Sequence, residues 1–263
     1  MPDTIITLTT DFGLSDHLVG TLKGVILNIN PSVHIVDINH NVAPFDILDG
    51  ALTIANAYRY FPPRTIHVVI VDPGVGTQRR PLLVTGGNQY FIAPDNGVLS
   101  TIFERESCTA RHITAQHYFL NPVSATFHGR DVFAPTAAWL SKVWQTEAFG
   151  AEVTDHARFS MPKPKAAGPA VKGVILRVDT FGNLMTNFTT DDVSAQALAS
   201  GTIKLAVNGK EIKKIARTFG DGTPGEPVAI LGSAGYLEIA VNRGNAARAL
   251  GANRGAEVTL DNS

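Results

Sequence analysis

The sequence predicts an α/β N-terminal domain on a parallel βαβ-type central sheet, followed by a small all-β barrel. Three observations carry this. Short β-branched runs alternate with helical stripes through the first 71 residues, the rhythm of parallel βαβ units. Met161–Pro169 then places three prolines and a glycine in nine residues, as a linker does. Beyond it, short strands recur with turn residues between them and almost no helical pattern. The expected division is residues 1–160, a linker at 161–169, and residues 170–263.

Taken in order, Ile5–Thr9 is the first strand, with Thr10-Asp11-Phe12-Gly13 as its exit turn. Leu18, Leu22, Val25, Ile26 and Ile29 form one stripe of a helix over Asp16–Asn30, capped by Ser15 or Asp16 and stopped at Asn30-Pro31. Val33–Ile38 is the second strand. Ile47–Tyr60 is a second amphipathic helix, ended before Pro62-Pro63, and Thr65–Val71 is the third strand. Short links between these elements predict right-handed crossovers. Pro81–Thr85 and Gln89–Ala93 flank Gly86-Gly87-Asn88 as a hairpin. A short helix at Val98–Phe103, a strand at Ala110–Ile113 and a helix at Asp131–Val143, capped by Asp131, complete the first domain. In the second, strands are expected at Val171–Val178, Thr202–Val207, Lys210–Ile215, Val228–Leu231, Leu237–Val241 and Val258–Leu260, with one helix at Asn245–Leu250.

The composition narrows the function classes. Of 263 residues, 44% are hydrophobic and 17% charged, which fits a folded chain with a real core. The net charge of −1 is spread without a basic stripe, so neither nucleic acid nor an anionic membrane is an expected partner. Cys108 is the single cysteine, which excludes an internal disulfide and a cysteine zinc cluster; no metal site is expected. Met1–Thr10 lacks the basic and apolar regions of a signal peptide, and no long apolar segment follows, so the expected location is the cytoplasm.

The chain is organised around Val68-Val69-Ile70-Val71-Asp72-Pro73-Gly74-Val75-Gly76, followed by Arg79 and Arg80. A buried strand ends on a carboxylate, and a turn can swing an arginine back towards it. Ligands of open α/β sheets sit outside the carboxyl ends of the strands, where both Asp11 and Asp72 fall. A carboxylate there accepts two hydroxyl hydrogen bonds, as from a ribose diol; the plainer reading of each is ordinary turn chemistry. Gly74-Val75-Gly76 is not a phosphate loop, because a strand rather than a helix follows it. His128, beside Gly129 and just before a helix, is either a satisfied surface residue or a partner of Asp72. Asp179-Thr180-Phe181-Gly182-Asn183 is either a simple hairpin turn or a platform that stacks and hydrogen-bonds a base. Gly232-Ser233-Ala234-Gly235 is either a strand entry or a loop that holds a carboxylate.

Six ordered stretches together resemble the S-adenosyl-L-methionine hydroxide adenosyltransferase family, which is related to the fluorinase and chlorinase enzymes. They are Thr9–Gly13, Ala43–Asp46, Val71–Gly76 with Arg79, Phe127–Asp131, Phe181–Asn183 with Thr186-Asn187, and Gly232–Ala240. The resemblance runs nearly end to end. It implies an α/β domain and a β-barrel domain. It also implies a homotrimer, with each site formed between one subunit's first domain and its neighbour's second. The implied reaction is attack by water or hydroxide at the ribose C5′ of S-adenosyl-L-methionine, giving adenosine and L-methionine. No cofactor is implied, since S-adenosyl-L-methionine is the substrate. The catalytic set maps onto Asp72, Arg79 and His128; spacing favours Arg79, which leaves Arg80 facing solvent. By the same resemblance Asp11 holds the ribose hydroxyls and Phe45 walls the sugar. Asp179 and Ser233, with Asp16, hold the methionine end, and Phe181, Asn183 and Phe219 hold the adenine. This chain departs from its halogenating relatives at three places: Gly129 stands where fluorinase has a serine beside the halide, and Asp72 and Ala234 stand where both halogenases have a tyrosine and an arginine. The rival readings are a non-catalytic S-adenosyl-L-methionine or adenosine binding module and a methyltransferase. The latter lacks its glycine-rich loop after the first strand.

Overall fold

The computed structural model describes residues 4–193 and 204–261. They form two compact units, residues 1–160 and 161–263.

The strands of the first unit are β1 (Ile5–Thr10), β2 (His34–Asn39), β3 (Ile66–Ile70), β4 (Pro81–Gly86), β5 (Gln89–Pro94), β6 (Thr109–His112) and β7 (Glu152–Val153). Its helices are α1 (Leu18–Ile29), α2 (Ile47–Ala57), α3 (Ser100–Arg105) and α4 (Ala134–Val143). The seven strands form one sheet in the order β2-β1-β3-β5-β4-β6-β7. The expectation of a parallel sheet holds for β2, β1, β3 and β5 and fails beyond them, because β4, β6 and β7 are joined by antiparallel pairing. The cause is local. Gly87 and Asn88 both take positive φ, +57° and +60°, and so close a two-residue hairpin that reverses the chain.

Every residue of β3 is buried, as in a strand covered on both faces. Side-chain alternation then sorts the core. Val68 and Ile70 pack with Leu22 and Ile26 of α1 and Ala137 and Leu140 of α4. Val69 packs on the opposite face with Ile54 of α2 and Ile102 of α3.

Two helix starts differ from expectation. α1 begins at Leu18 with His17 at its N-cap and no side-chain cap, so Ser15 and Asp16 belong to the preceding bend. Ahead of α4 runs a π-helical turn, Gly129–Phe133, which places Asp131 inside the helical segment. Its carboxylate pairs with Arg130 and accepts the Ser124 amide at 2.8 Å, so it ties down the incoming loop instead of capping.

In the second unit the strands are β8 (Lys165–Ala167), β9 (Ala170–Val178), β10 (Leu184–Thr189), β11 (Lys204–Val207), β12 (Lys210–Ile212), β13 (Lys214–Ala216), β14 (Pro227–Leu231), β15 (Tyr236–Val241) and β16 (Glu257–Asp261). They build a nine-stranded, barrel-like sheet in the order β12-β11-β16-β9-β10-β15-β14-β13, with β8 beside β9. One short helix, α5 (Ala246–Leu250), packs on it through Ala246 and Leu250. The expected strand at Lys210–Ile215 divides into β12 and β13. Thr202 and Ile203, the start of another expected strand, lie outside the described residues.

Candidate active site

The order β2-β1-β3-β5 contains a switch point. From β1 the chain crosses to β2 on one side, and beyond β3 the sheet grows on the other. A crevice opens at the carboxyl ends of strands where the winding direction reverses. Asp11 follows β1 directly and Asp72 lies two residues beyond β3, so both border this crevice. A cavity of about 390 Å³ lies there, lined by Asp11, Phe12, Leu18, Pro44, Phe45, Ile70, Asp72, Val75, Thr126, Phe127, His128 and Gly129.

The turn after β3 delivers Arg79. Asn96 Nδ2 donates to the Val71 carbonyl at 2.8 Å and anchors the strand end. The Val75 amide donates to the Asp72 carbonyl at 3.2 Å, and the Thr77 amide to that of Gly74 at 3.1 Å. The doubled-back chain carries Arg79 onto Asp72. Gly76 is required in this turn: its φ is +77°, and a Cβ there would stand 2.1 Å from the Ala125 carbonyl oxygen. That close approach brings the turn against the 124–128 loop, which ends on His128.

Arg79 is the hub. Its Nε donates to both Asp72 oxygens at 3.0 Å, and its Nη2 donates to Asp72 Oδ2 as well. Nη2 also donates to His128 Nδ1 at 2.9 Å. The Arg79 and Asp72 side chains are 8% and 5% exposed, so this is a buried pair. Among the described residues Arg79 Nη1 has no hydrogen-bond partner, and the guanidinium carbon sits 5.2 Å from the Phe133 ring centroid. His128 is therefore held by Arg79 and not by Asp72, contrary to the pairing considered from sequence. An arginine only donates, so Nδ1 accepts, and neutral His128 carries its proton on Nε2. Burial, then the Arg79 charge, pushes the His128 pKa below its ordinary 6.5 and favours this neutral form.

Asp11 Oδ2 accepts the Phe45 amide at 2.8 Å, while the Phe45 ring is 73% exposed at the cavity edge. Asp16 does not line the cavity; it is exposed, 3.9 Å from His17. Arg80 is the more solvent-facing of the two, its side chain 25% exposed against 8% for Arg79, and it pairs at the surface with Asp95 and Asp155, each at 2.7 Å. Phe12, Pro44, Thr126 and Phe127 line the cavity without having been singled out from sequence; only the place of Phe12, Pro44 and Phe127 inside the quoted motifs marks them, and Thr126 lies just before one.

In the second unit Asp179, Phe181 and Asn183 share one turn. Asp179 Oδ1 accepts the amides of Phe181 and Asn183 at 2.9 and 2.8 Å, and Oδ2 accepts Asn183 Nδ2 at 2.9 Å. Phe181 is left 76% exposed. Ser233 is exposed in the turn between β14 and β15, and Phe219 is half-exposed in a short helical turn after Thr218. Glu238 on β15 lies beside both turns. A Cβ on Gly232 would meet its Oε1 at 2.1 Å, and burial, then the Asp179 charge, raises its pKa.

Two family profiles match consecutive parts of the chain. The SAM hydroxide adenosyltransferase N-terminal domain covers residues 6–150, and the corresponding C-terminal domain residues 173–259. The chain belongs to the SAM hydroxide adenosyltransferase family. Among its relatives is the (R)-S-adenosyl-L-methionine hydrolase of Thermus thermophilus, 37% identical, with 95% of this chain and 97% of that one aligned. The fluorinase of Actinoplanes sp. is 30% identical over 97% of both chains. A crystal structure of a Thermotoga maritima protein superimposes with a TM-score of 0.89 at 39% identity, covering 97% of this chain and 99% of that one. Like its curated relatives, this member of the family is an enzyme.

Proposed function

We propose that this enzyme hydrolyses S-adenosyl-L-methionine, with water attacking the ribose C5′ to give adenosine and L-methionine. The observation that carries the reading is the buried Asp72–Arg79 pair with His128 hydrogen-bonded to it, since Asp72 and His128 line the cavity beside Asp11. The leaving group is a neutral thioether departing from a sulfonium, so no general acid is needed. A water that donates to Asp72 and accepts from His128 Nε2–H presents its remaining lone pair to C5′. As the C5′–O bond forms and the C5′–S bond breaks, the proton passes to Asp72 and then to solvent. Arg79 holds Asp72 in place and keeps His128 a donor. Such positioning contributes up to roughly 7–11 kcal/mol in favourable cases.

Asp11 accepts the ribose hydroxyls through the oxygen not taken by the Phe45 amide, and Phe45 walls the sugar. Phe181, Asn183 and Phe219 take the adenine, and Asp179 and Ser233 the methionine end. Asp16, exposed beside His17 in the loop after β1, joins Asp179 and Ser233 at the methionine end. The proposal includes a cytoplasmic homotrimer with sites at subunit interfaces, a closed barrel for the second unit, and no cofactor. The exposed rings of Phe45, Phe181 and Phe219 support an interface, and no helix among the described residues is long and apolar enough to cross a membrane.

The test is incubation with each sulfonium epimer of S-adenosyl-L-methionine in ¹⁸O-water, with products resolved by liquid chromatography and mass spectrometry. Both epimers are needed because the Thermus relative's name specifies (R). Methionine and adenosine labelled at the 5′ oxygen are expected. Intact, tightly retained ligand would replace the reading by a binding module, and S-adenosylhomocysteine would replace it by methyl transfer.

A further inference from the structure

The chain carries a second histidine near this site, a buried one, that the reaction does not use. His40 follows β2, is 3% exposed, and lies between the two loops that carry Asp11 and Phe45. Its backbone carbonyl accepts the Gly13 amide at 2.7 Å, and the Thr10 carbonyl accepts the Val42 amide at 3.4 Å. Its Nδ1 is 2.9 Å from Thr10 Oγ1, which itself accepts the Phe12 amide at 3.3 Å. On the far side, Nε2 is 3.1 Å from Asp37 Oδ1, and Asp37 is held by Lys23 at 2.6 Å. The Asp37 carboxylate so close to Nε2 draws the ring proton to that nitrogen. Nδ1 is then free to accept the Thr10 hydroxyl proton, and the chain Asp37, His40, Thr10, Phe12 amide runs in one direction.

We propose that His40 is a positioning residue for the ribose end of the site. Through Thr10 and its own carbonyl it clasps the loop after β1 to the loop after β2. In that register the Phe45 amide occupies one oxygen of Asp11 and fixes the plane of the carboxylate. The other oxygen is set to accept from a vicinal diol. The ligand class rests on the S-adenosyl-L-methionine reading; the clasp does not.

Two measurements separate them. Calorimetric titration of adenosine and 2′-deoxyadenosine reads the diol contact as an affinity ratio, expected to be about 10-fold or more in the wild type. His40→Gln removes the acceptor near Nδ1 and is expected to reduce the ratio to about two-fold or less, with 2′-deoxyadenosine affinity little changed. His40→Asn, whose amide oxygen falls near Nδ1, is expected to restore most of it. A merely structural role would lower both affinities together, and that result, or an unchanged ratio in His40→Gln, overturns the proposal. A wild type that binds neither nucleoside overturns the substrate reading instead. Hydrogen exchange without ligand then tests the clasp alone. His40→Gln should speed exchange across residues 11–17 and 40–46, and unaltered exchange there overturns it.

Discussion

Removing the Arg79 cation tests whether the Asp72–Arg79 pair serves stability, chemistry or both. Arg79→Met leaves the Asp72 carboxylate 5% exposed with none of its three arginine hydrogen bonds. Breaking a buried pair from one side costs about 3–5 kcal/mol, and more than nine-tenths burial of both side chains leaves little solvent screening to reduce that. Asp72→Asn added to Arg79→Met removes the orphaned charge, so most of the lost stability should return. Activity should not return, because the carboxylate that takes the water's proton and the donor that orients His128 are both gone. Turnover is expected to fall about 10²–10³-fold in Arg79→Met and no less in the double variant. Urea unfolding and single-turnover adenosine release measure the two quantities on the same samples. Recovery of turnover along with stability would refute the assignment of Asp72 and Arg79 to the chemistry. A cost below about 1 kcal/mol for Arg79→Met would refute the energetic argument.

Three further outcomes follow from the geometry. Burial of His67, between Thr7 and Gln89, lowers its pKa from 6.5 to about 4. The unfolded chain binds that proton first, so stability should be lost as pH falls from 6.5 towards 4, by about 3 kcal/mol at roughly 1.4 kcal/mol per pH unit. His67→Gln should flatten this part of the urea-unfolding profile. For His128, burial and then Arg79 depress the pKa, so the acid limb of kcat/KM should lie below pH 6.5 and move upward in Arg79→Met, read from pH–rate profiles. Gly76→Ala should cost well over the ~1 kcal/mol of a left-handed alanine, because its Cβ would collide with the Ala125 carbonyl. Gly13→Ala, at φ +70° with nothing within 4 Å, should cost only that ~1 kcal/mol; thermal melts compare the two.

How far the sequence reveals this protein depends on whether each feature is local or assembled. The β-branched runs and the stripe of Leu18, Leu22 and Ile26 gave the first strands and helices, since those patterns lie within a few consecutive residues of the chain. The mixed character of the sheet was not legible, because hairpin residues mark a reversal without saying which strand lies beside the next. Helix starts failed where a local rule met a tertiary demand: Asp131 has the residue type of a cap but is drawn to Arg130 and the Ser124 amide. Asp72 and Arg79 were legible because one turn joins them. The Arg79–His128 contact spans 49 positions. Nothing local distinguishes it from an Asp72–His128 contact, and only the geometry decides. The ion pairs of Arg80 were not legible, because its partners, Asp95 and Asp155, are 15 and 75 positions away.

That same contact bears on why a water would be chosen over a halide at this site. With Arg79 donating to Nδ1, His128 turns an N–H to the nucleophile, and an N–H welcomes a halide as readily as an oxygen. Discrimination then falls to Asp72. Two like charges about 4 Å apart cost about 4 kcal/mol at an effective dielectric constant of 20, close to a thousand-fold. Arg79 offsets that repulsion in total charge but not in direction, because Asp72 lines the cavity and Arg79 does not. The ion pair therefore presents its negative end to the nucleophile. A water can turn a proton to that end, and a halide has none to turn. Neutralising Asp72 alone should thus weaken the preference against halide while also removing the acceptor that hydrolysis needs. Asp72→Asn is accordingly expected to lose adenosine formation and to bind chloride more tightly than the wild type. Halide titration followed by calorimetry checks this, and unchanged chloride affinity would show that the discrimination resides elsewhere.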